Sequence, residues 1–181
     1  MNGIILRCHP CSLLSAARCH NQNFFVDITS NYFEVFGLPV EHDINPRLLS
    51  ERYHDLQRQF YPDRHVARTA RERRLSEQYT TFINQAYGEL KSPLHRALYL
   101  LGMTGIDPGN ELLSTLEPDC LMQQMALRDA LTAVRTAGDP EIRLREIADI
   151  VTGQYAAFQH EFSEQYSRTD VSGATDTVAK M

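Results

Sequence analysis

Apolar residues along this chain recur at spacings of three and four and nowhere settle into strict alternation, which is the period of amphipathic helices rather than strands. The first clean segment, "SNYFEVFGLP", reads as a Ser/Asn cap, one short apolar helix and a Gly-Leu-Pro stop. "INPRLLSERYHDLQRQF" opens with Asn45 as cap and Pro46 in the first turn, where its missing N–H costs nothing. Leu49, Tyr53, Leu56 and Phe60 then make one stripe, while Arg47, Arg58 and, at the flank, Arg52 lie off it and face water. Pro62 ends the helix, because the residue before a proline is pushed out of the α region.

A second long helix is predicted over about 68–91, on the stripe Leu75, Tyr79, Phe82, Ile83, Ala86 and Leu90. "SPLHRALYLLG" starts afresh with Ser92 as cap and Gly102 at its end, and "TGIDPGNEL" is the clearest linker. Beyond it Pro118 opens a helix through about Ala137, broken by "GDP". Pro140 begins the next, whose stripe runs Leu144, Ile147, Val151, Tyr155, Phe158 and Phe162, before the polar stretch "SRTDVSGATD". With no strand pattern competing, the fold class is all-α, in two helical modules joined at about 104–112.

Composition adds exclusions. The chain has 181 residues and a net charge of −5, with no apolar run near the roughly 18 residues of a membrane span. Gly-rich phosphate loops, a nucleophile elbow and an HExxH metal site are all missing, which argues against an enzyme. Three of the four Cys crowd the first 20 residues, which is no disulfide framework and points to a reducing compartment. Charge is uneven: eight Arg face four acids between Asn45 and Leu75, whereas thirteen acids face six bases from Asp107 onward. A basic half and an acidic half suggest two surfaces for two partners, against the plainer alternative of two solvated helix faces. The acidic total and the lack of interleaved aromatics argue against nucleic acid.

Four blocks in order, "NYFEVFGLP", "LSERYHDLQRQFYPDRH", "INQAYGELKSPLHRALYLLGMTGID" and "LMQQMALRDAL", resemble the HscB/Jac co-chaperones of iron–sulfur cluster assembly, over about Asn31 to Val178. The resemblance implies a tail at 1–26, a J-domain at 27–103, a linker at 104–116 and a client-binding helical bundle at 117–181. It implies a non-enzymatic, cofactor-free adaptor that docks on a DnaK-type chaperone, HscA, stimulates its ATPase and delivers the scaffold protein IscU. The expected location is the cytoplasm, with the mitochondrial matrix as alternative. The family's loop tripeptide is His-Pro-Asp, and here it is Tyr61-Pro62-Asp63. Pro62 fixes the backbone and Asp63 offers an acceptor for a chaperone Arg, flanked by Arg47, Arg52, Arg58 and Arg64. Tyr61 keeps a ring and a hydroxyl but loses the imidazole's charge, so an adaptor with impaired ATPase stimulation is the alternative.

On the helix after Pro118, Cys120, Leu127, Leu131 and Val134 cluster as a core face. Leu121, Met122 and Met125 project roughly 120–220° from Leu127, and a helix apolar on two sides is either buried or presents a contact patch. By the resemblance these three, with Asp129, bind the client, although Ala126 and Ala133 stand where the family has acids. The family's last helix also normally runs on past "GATDTVAKM", so the expected bundle is shortened, its long stripe partly uncovered or completed by self-association. At the other end, Cys8, Cys11, Cys19 and His20 offer soft ligands for zinc, but without a second CxxC. The acid-free residues 1–26 can also be read as a transit peptide; a tail is the preferred reading, and no metal is expected.

Overall fold

The computed structural model describes residues 30–60, 70–106, 118–136 and 138–181, the side chain of Glu72 excepted. Among the described residues the regular elements are helical throughout. They are α1 (Tyr32–Val35), α2 (Pro46–Phe60), α3 (Ala70–Lys91), α4 (Pro93–Met103), α5 (Pro118–Ala133) with a 3-10 turn (Val134–Thr136), α6 (Pro140–Ser167) and α7 (Val171–Lys180).

Side chains that satisfy the free N–H groups of a first turn mark the helix starts. Asn31 Oδ1 accepts from Glu34 N at 2.9 Å, and Asn45 Oδ1 from Arg47 N at 3.0 Å and Leu48 N at 3.2 Å. Ser92, Asp139 and Asp170 do the same for α4, α6 and α7. Helix α4 runs past the expected stop at Gly102 to Met103, and the left-handed residue that ends it is Gly105, at φ 88°.

Helices α2 and α3 pair as a hairpin over α1 and α4, around Phe33, Phe36, Leu49, Leu56, Ile83, Leu90 and Leu100. The stripe on α3 is cut short at its start. Leu75 is exposed, and the inward position is taken by Ser76, whose Oγ donates to Phe60 O at 2.6 Å. Arg52, expected at the flank of the α2 stripe and facing water, is half-buried. Its guanidinium donates to the carbonyls of Phe36 and Gly37, closing the turn after α1. Gly37 sits at φ 56° beneath that guanidinium, where an L side chain would be both strained and in collision with it.

The C-terminal elements return to this core. The polar stretch "SRTDVSGATD" contains a helix start, and α7 lies against α6 and α4. Phe162 of α6 and Ala174 and Val178 of α7 are buried in one cluster with the α2–α4 residues. Thr169 turns the chain at φ 62°, and Thr177 Oγ1 donates to Gln165 Oε1 at 2.8 Å to lock the α6–α7 corner. By contrast α5, which its 3-10 turn carries on to Thr136, close to the expected end near Ala137, buries no residue at all. Its expected core face is open: Cys120, Leu127 and Val134 are only half-covered, and Leu131 is exposed.

His42 and Arg96 occupy the joint between the two halves. The His42 ring is buried edge-on to Phe162, centroids 4.8 Å apart, and its Nε2 lies 3.2 Å from Pro93 O. A carbonyl accepts, so the neutral Nε2–H tautomer is the one this contact selects. Arg96 Nη1 donates to Leu90 O at 3.1 Å, and its Nε has no hydrogen-bond partner among the described residues. Burial pushes the His42 pKa down and the nearby Arg96 guanidinium adds to the effect, outweighing the Pro93 carbonyl and Asp43. The folded state therefore favours neutral His42, and its contribution is complete above the ordinary histidine value of about 6.5. Stability should fall as pH drops below that value, by at most about 1.4 kcal/mol per pH unit for one proton. H42Q, which cannot titrate, should show a shallower fall in melting temperature between pH 7.5 and 5.5.

Candidate functional site

Two surfaces remain once the core is assigned. The first is the outer face of the α2–α3 hairpin, whose end is held by aromatic and amide contacts. Tyr53 stacks on Tyr87 with centroids 3.9 Å apart, and its hydroxyl donates to Asn84 Oδ1 at 3.0 Å. Gln57 Nε2 donates to the same oxygen at 3.1 Å, and Phe60 packs on Tyr79 at 5.2 Å. These contacts tie the last turns of α2 to α3. Arg47 and Arg58 are exposed on this hairpin, Arg58 paired with Asp55 three residues earlier. An exposed pair of that kind adds little stability, and the charge remains accessible to a partner.

Tyr61, Pro62, Asp63 and Arg64 lie outside the described residues, as do Cys8, Cys11, Cys19 and His20. At the far side of that segment Arg71, Arg73 and Arg74 stand exposed on the first turns of α3. The Ser76–Phe60 bond brings this end of α3 beside the end of α2, so these three arginines join Arg47 and Arg58 on one cationic hairpin. Their charge is part of the eight-arginine segment, but the pattern alone does not put them beside the end of α2.

The second surface is on α5. Leu121, Met122 and Met125 are 54%, 68% and 59% exposed, and Asp129 follows one turn later, also exposed. Helical spacing puts all four on one side. Among the described residues α5 packs mainly on the 3-10 turn and α6, which leaves this side uncovered. Among the described residues no cluster of three His, Cys, Asp or Glu is arranged to hold a metal ion, and no helix is long and apolar enough to cross a membrane.

Comparison with known proteins adds a family. Residues 116–181 match a family described as the HSCB C-terminal oligomerisation domain. A protein named Co-chaperone protein HscB homolog, from Vibrio cholerae serotype O1 strain O395, is 36% identical over 151 residues, which is 83% of this chain and 88% of that one. Its counterpart from strain M66-2 is 35% identical over the same length. Among solved structures, chaperone HscB from Vibrio cholerae matches with a TM-score of 0.75 at 35% identity, over 83% of this chain and 88% of that one. The crystal structure of human co-chaperone protein HscB matches with a TM-score of 0.75 at 26% identity, over 92% and 87%.

The exposure of the α5 patch makes a prediction about folding alone. Replacing Leu121, Met122 and Met125 together by Ala should leave the thermal midpoint within a few degrees of wild type, because exposed substitutions cost about 0.5 kcal/mol or less each and Ala favours helix. Circular dichroism melting checks it. A midpoint many degrees lower would mean that these side chains are packed.

Proposed function

This chain belongs to the HscB family of co-chaperones, and from that premise we propose that it couples a DnaK-type chaperone, HscA, to the iron–sulfur scaffold protein IscU. The cationic hairpin docks on the ATPase and stimulates it, while the α5 patch holds the scaffold. Tethering both on one chain raises the client's effective concentration at the chaperone. The observation that carries this reading is the separation of two exposed surfaces of opposite character on one scaffold: arginines beside Tyr61-Pro62-Asp63, and Leu121, Met122 and Met125 on a helix with no buried residue.

Each half has a physical role. Arginine forks suit carboxylates on an acidic partner, and their effect appears mainly in association rate and salt sensitivity. Asp63 supplies the acceptor for a charge-assisted bond, and Pro62 sets the backbone that presents it. Flexible methionines beside a leucine suit an apolar contact that must be made and released. The protein acts through binding rather than chemistry of its own, in the cytoplasm or the mitochondrial matrix.

The test is the steady-state ATPase rate of a DnaK-type chaperone with this protein, with and without IscU. D63N should abolish stimulation with little change in thermal stability, and normal stimulation by D63N would remove the docking role. Y61H should raise stimulation if Tyr61 weakens the contact. Stimulation absent in wild type but present in Y61H would establish the adaptor reading, in which the chain binds client without driving hydrolysis. Ala at Leu121, Met122 and Met125 should weaken IscU binding by roughly ten- to a hundredfold, the usual range for an interface centre.

A second reading concerns self-association. Leu144 and Val151 share one face of α6 and are exposed, as is Leu131 on α5, and the family description of this region names oligomerisation. A second copy covering that face would bury it. Sedimentation of wild type should then show concentration-dependent dimers that L144E/V151E lacks.

A further inference from the structure

Met122 and Met125 are the two most exposed large apolar side chains among the described residues. They stand three residues apart, on one side of a helix whose packing uses neither of them. A thioether does not ionise, so its rate of oxidation is governed by access rather than by pH, and here access is nearly unhindered. Because α5 buries no residue, an added oxygen at either sulfur meets solvent and displaces nothing from the core.

We propose that Met122 and Met125 form a peroxide-sensitive modification site that switches off apolar recognition by α5. The proposal rests on the reading of this face as the IscU-binding surface. In the forward step hydrogen peroxide transfers one oxygen atom to Sγ. The thioether is oxidised by two electrons to a sulfoxide, and the peroxide is reduced to water. In the reverse step a dithiol-dependent methionine sulfoxide reductase removes the oxygen as water while its dithiol becomes a disulfide. The sulfoxide carries a strong dipole that water solvates well. A partner that covers the face must strip that water without offering a hydrogen bond in return, so binding is lost while the fold is kept. The same exposure that admits peroxide admits the reductase, which makes the change reversible.

Other sulfur groups react under the same conditions, namely the four cysteines and Met1, Met103 and Met181. Cys120, half-covered at the start of α5, gives sulfenate or disulfide products that dithiothreitol alone reverses. Met103 is exposed at the end of α4, outside the patch. The experiment treats the full chain with hydrogen peroxide, quenches with catalase, maps the oxygens by peptide mass, and titrates IscU. Expected are one oxygen on each of Met122 and Met125, an unchanged circular dichroism spectrum, and binding at least tenfold weaker. Dithiothreitol alone should not restore it, dithiothreitol with both stereospecific sulfoxide reductases should, and M103L should lose binding on oxidation as wild type does. Unchanged binding with both methionines oxidised overturns the proposal, as does recovery with dithiothreitol alone or an M103L protein that resists. If the unoxidised chain has no affinity for IscU, the client reading itself falls and takes the switch with it, an outcome visible before any peroxide is added.

Discussion

Enclosure of the Phe162 ring is the contact on which the two halves of this protein depend. Phe162 sits late in α6, yet it is buried with residues of α2, α3 and α4, and the His42 ring closes over it edge-on. Burying one such side chain is worth about 1.5–3 kcal/mol, comparable to a sizeable share of a small domain's net stability. Ala174 and Val178 bring α7 against α4 beside it, so the end of α6 is clamped from two sides. Away from that clamp, among the described residues, α5 and the first turns of α6 pack mainly on each other and the 3-10 turn. The fold is tight at one end and open at the other. Both the exposed α5 patch and the exposed Leu144 and Val151 belong to the open part.

What could be read from the sequence was what is local. Caps at Asn31, Asn45 and Ser92 depend on a side chain reaching two or three residues ahead, and the structure has them where the pattern suggests. The stripe on α2 is also where its spacing puts it, with Leu49 and Leu56 buried. What escaped is what depends on distant partners. Arg52 reads as a flanking charge because the carbonyls it serves are about fifteen residues upstream. The pattern alone shows α7 only as a polar stretch, because Ser, Gly, Asp and Thr are poor helix formers, and it is the resemblance that puts the start of a last helix at "GATDTVAKM"; its small face against α4 and the cap from Asp170 override that preference.

The α5 helix teaches a narrower lesson. Periodicity states which residues share a side, and Cys120, Leu127, Leu131 and Val134 do share one, but it cannot state whether anything lies opposite. Nothing in the sequence of α5 distinguishes that half-covered face from the patch of Leu121, Met122 and Met125; only the placement of α6 does. Similarly, the charge count flagged a basic segment without sorting it. In the structure Arg52 is half-buried on the Phe36 and Gly37 carbonyls while Arg71, Arg73 and Arg74 stand exposed, so the cationic hairpin draws on both of its helices.

The clamp at Phe162 turns α6 into a lever arm. Ile142 lies twenty residues from Phe162 along one unbroken helix, a span of about 30 Å at 1.5 Å per residue. A tilt of about 10° at the pivot would swing that far end by about 5 Å, one full helical turn. Small slack among His42, Arg96 and Phe162 is thus magnified at the opposite end. Whatever is carried on α5 and the start of α6 is aimed by a few buried side chains well removed from it.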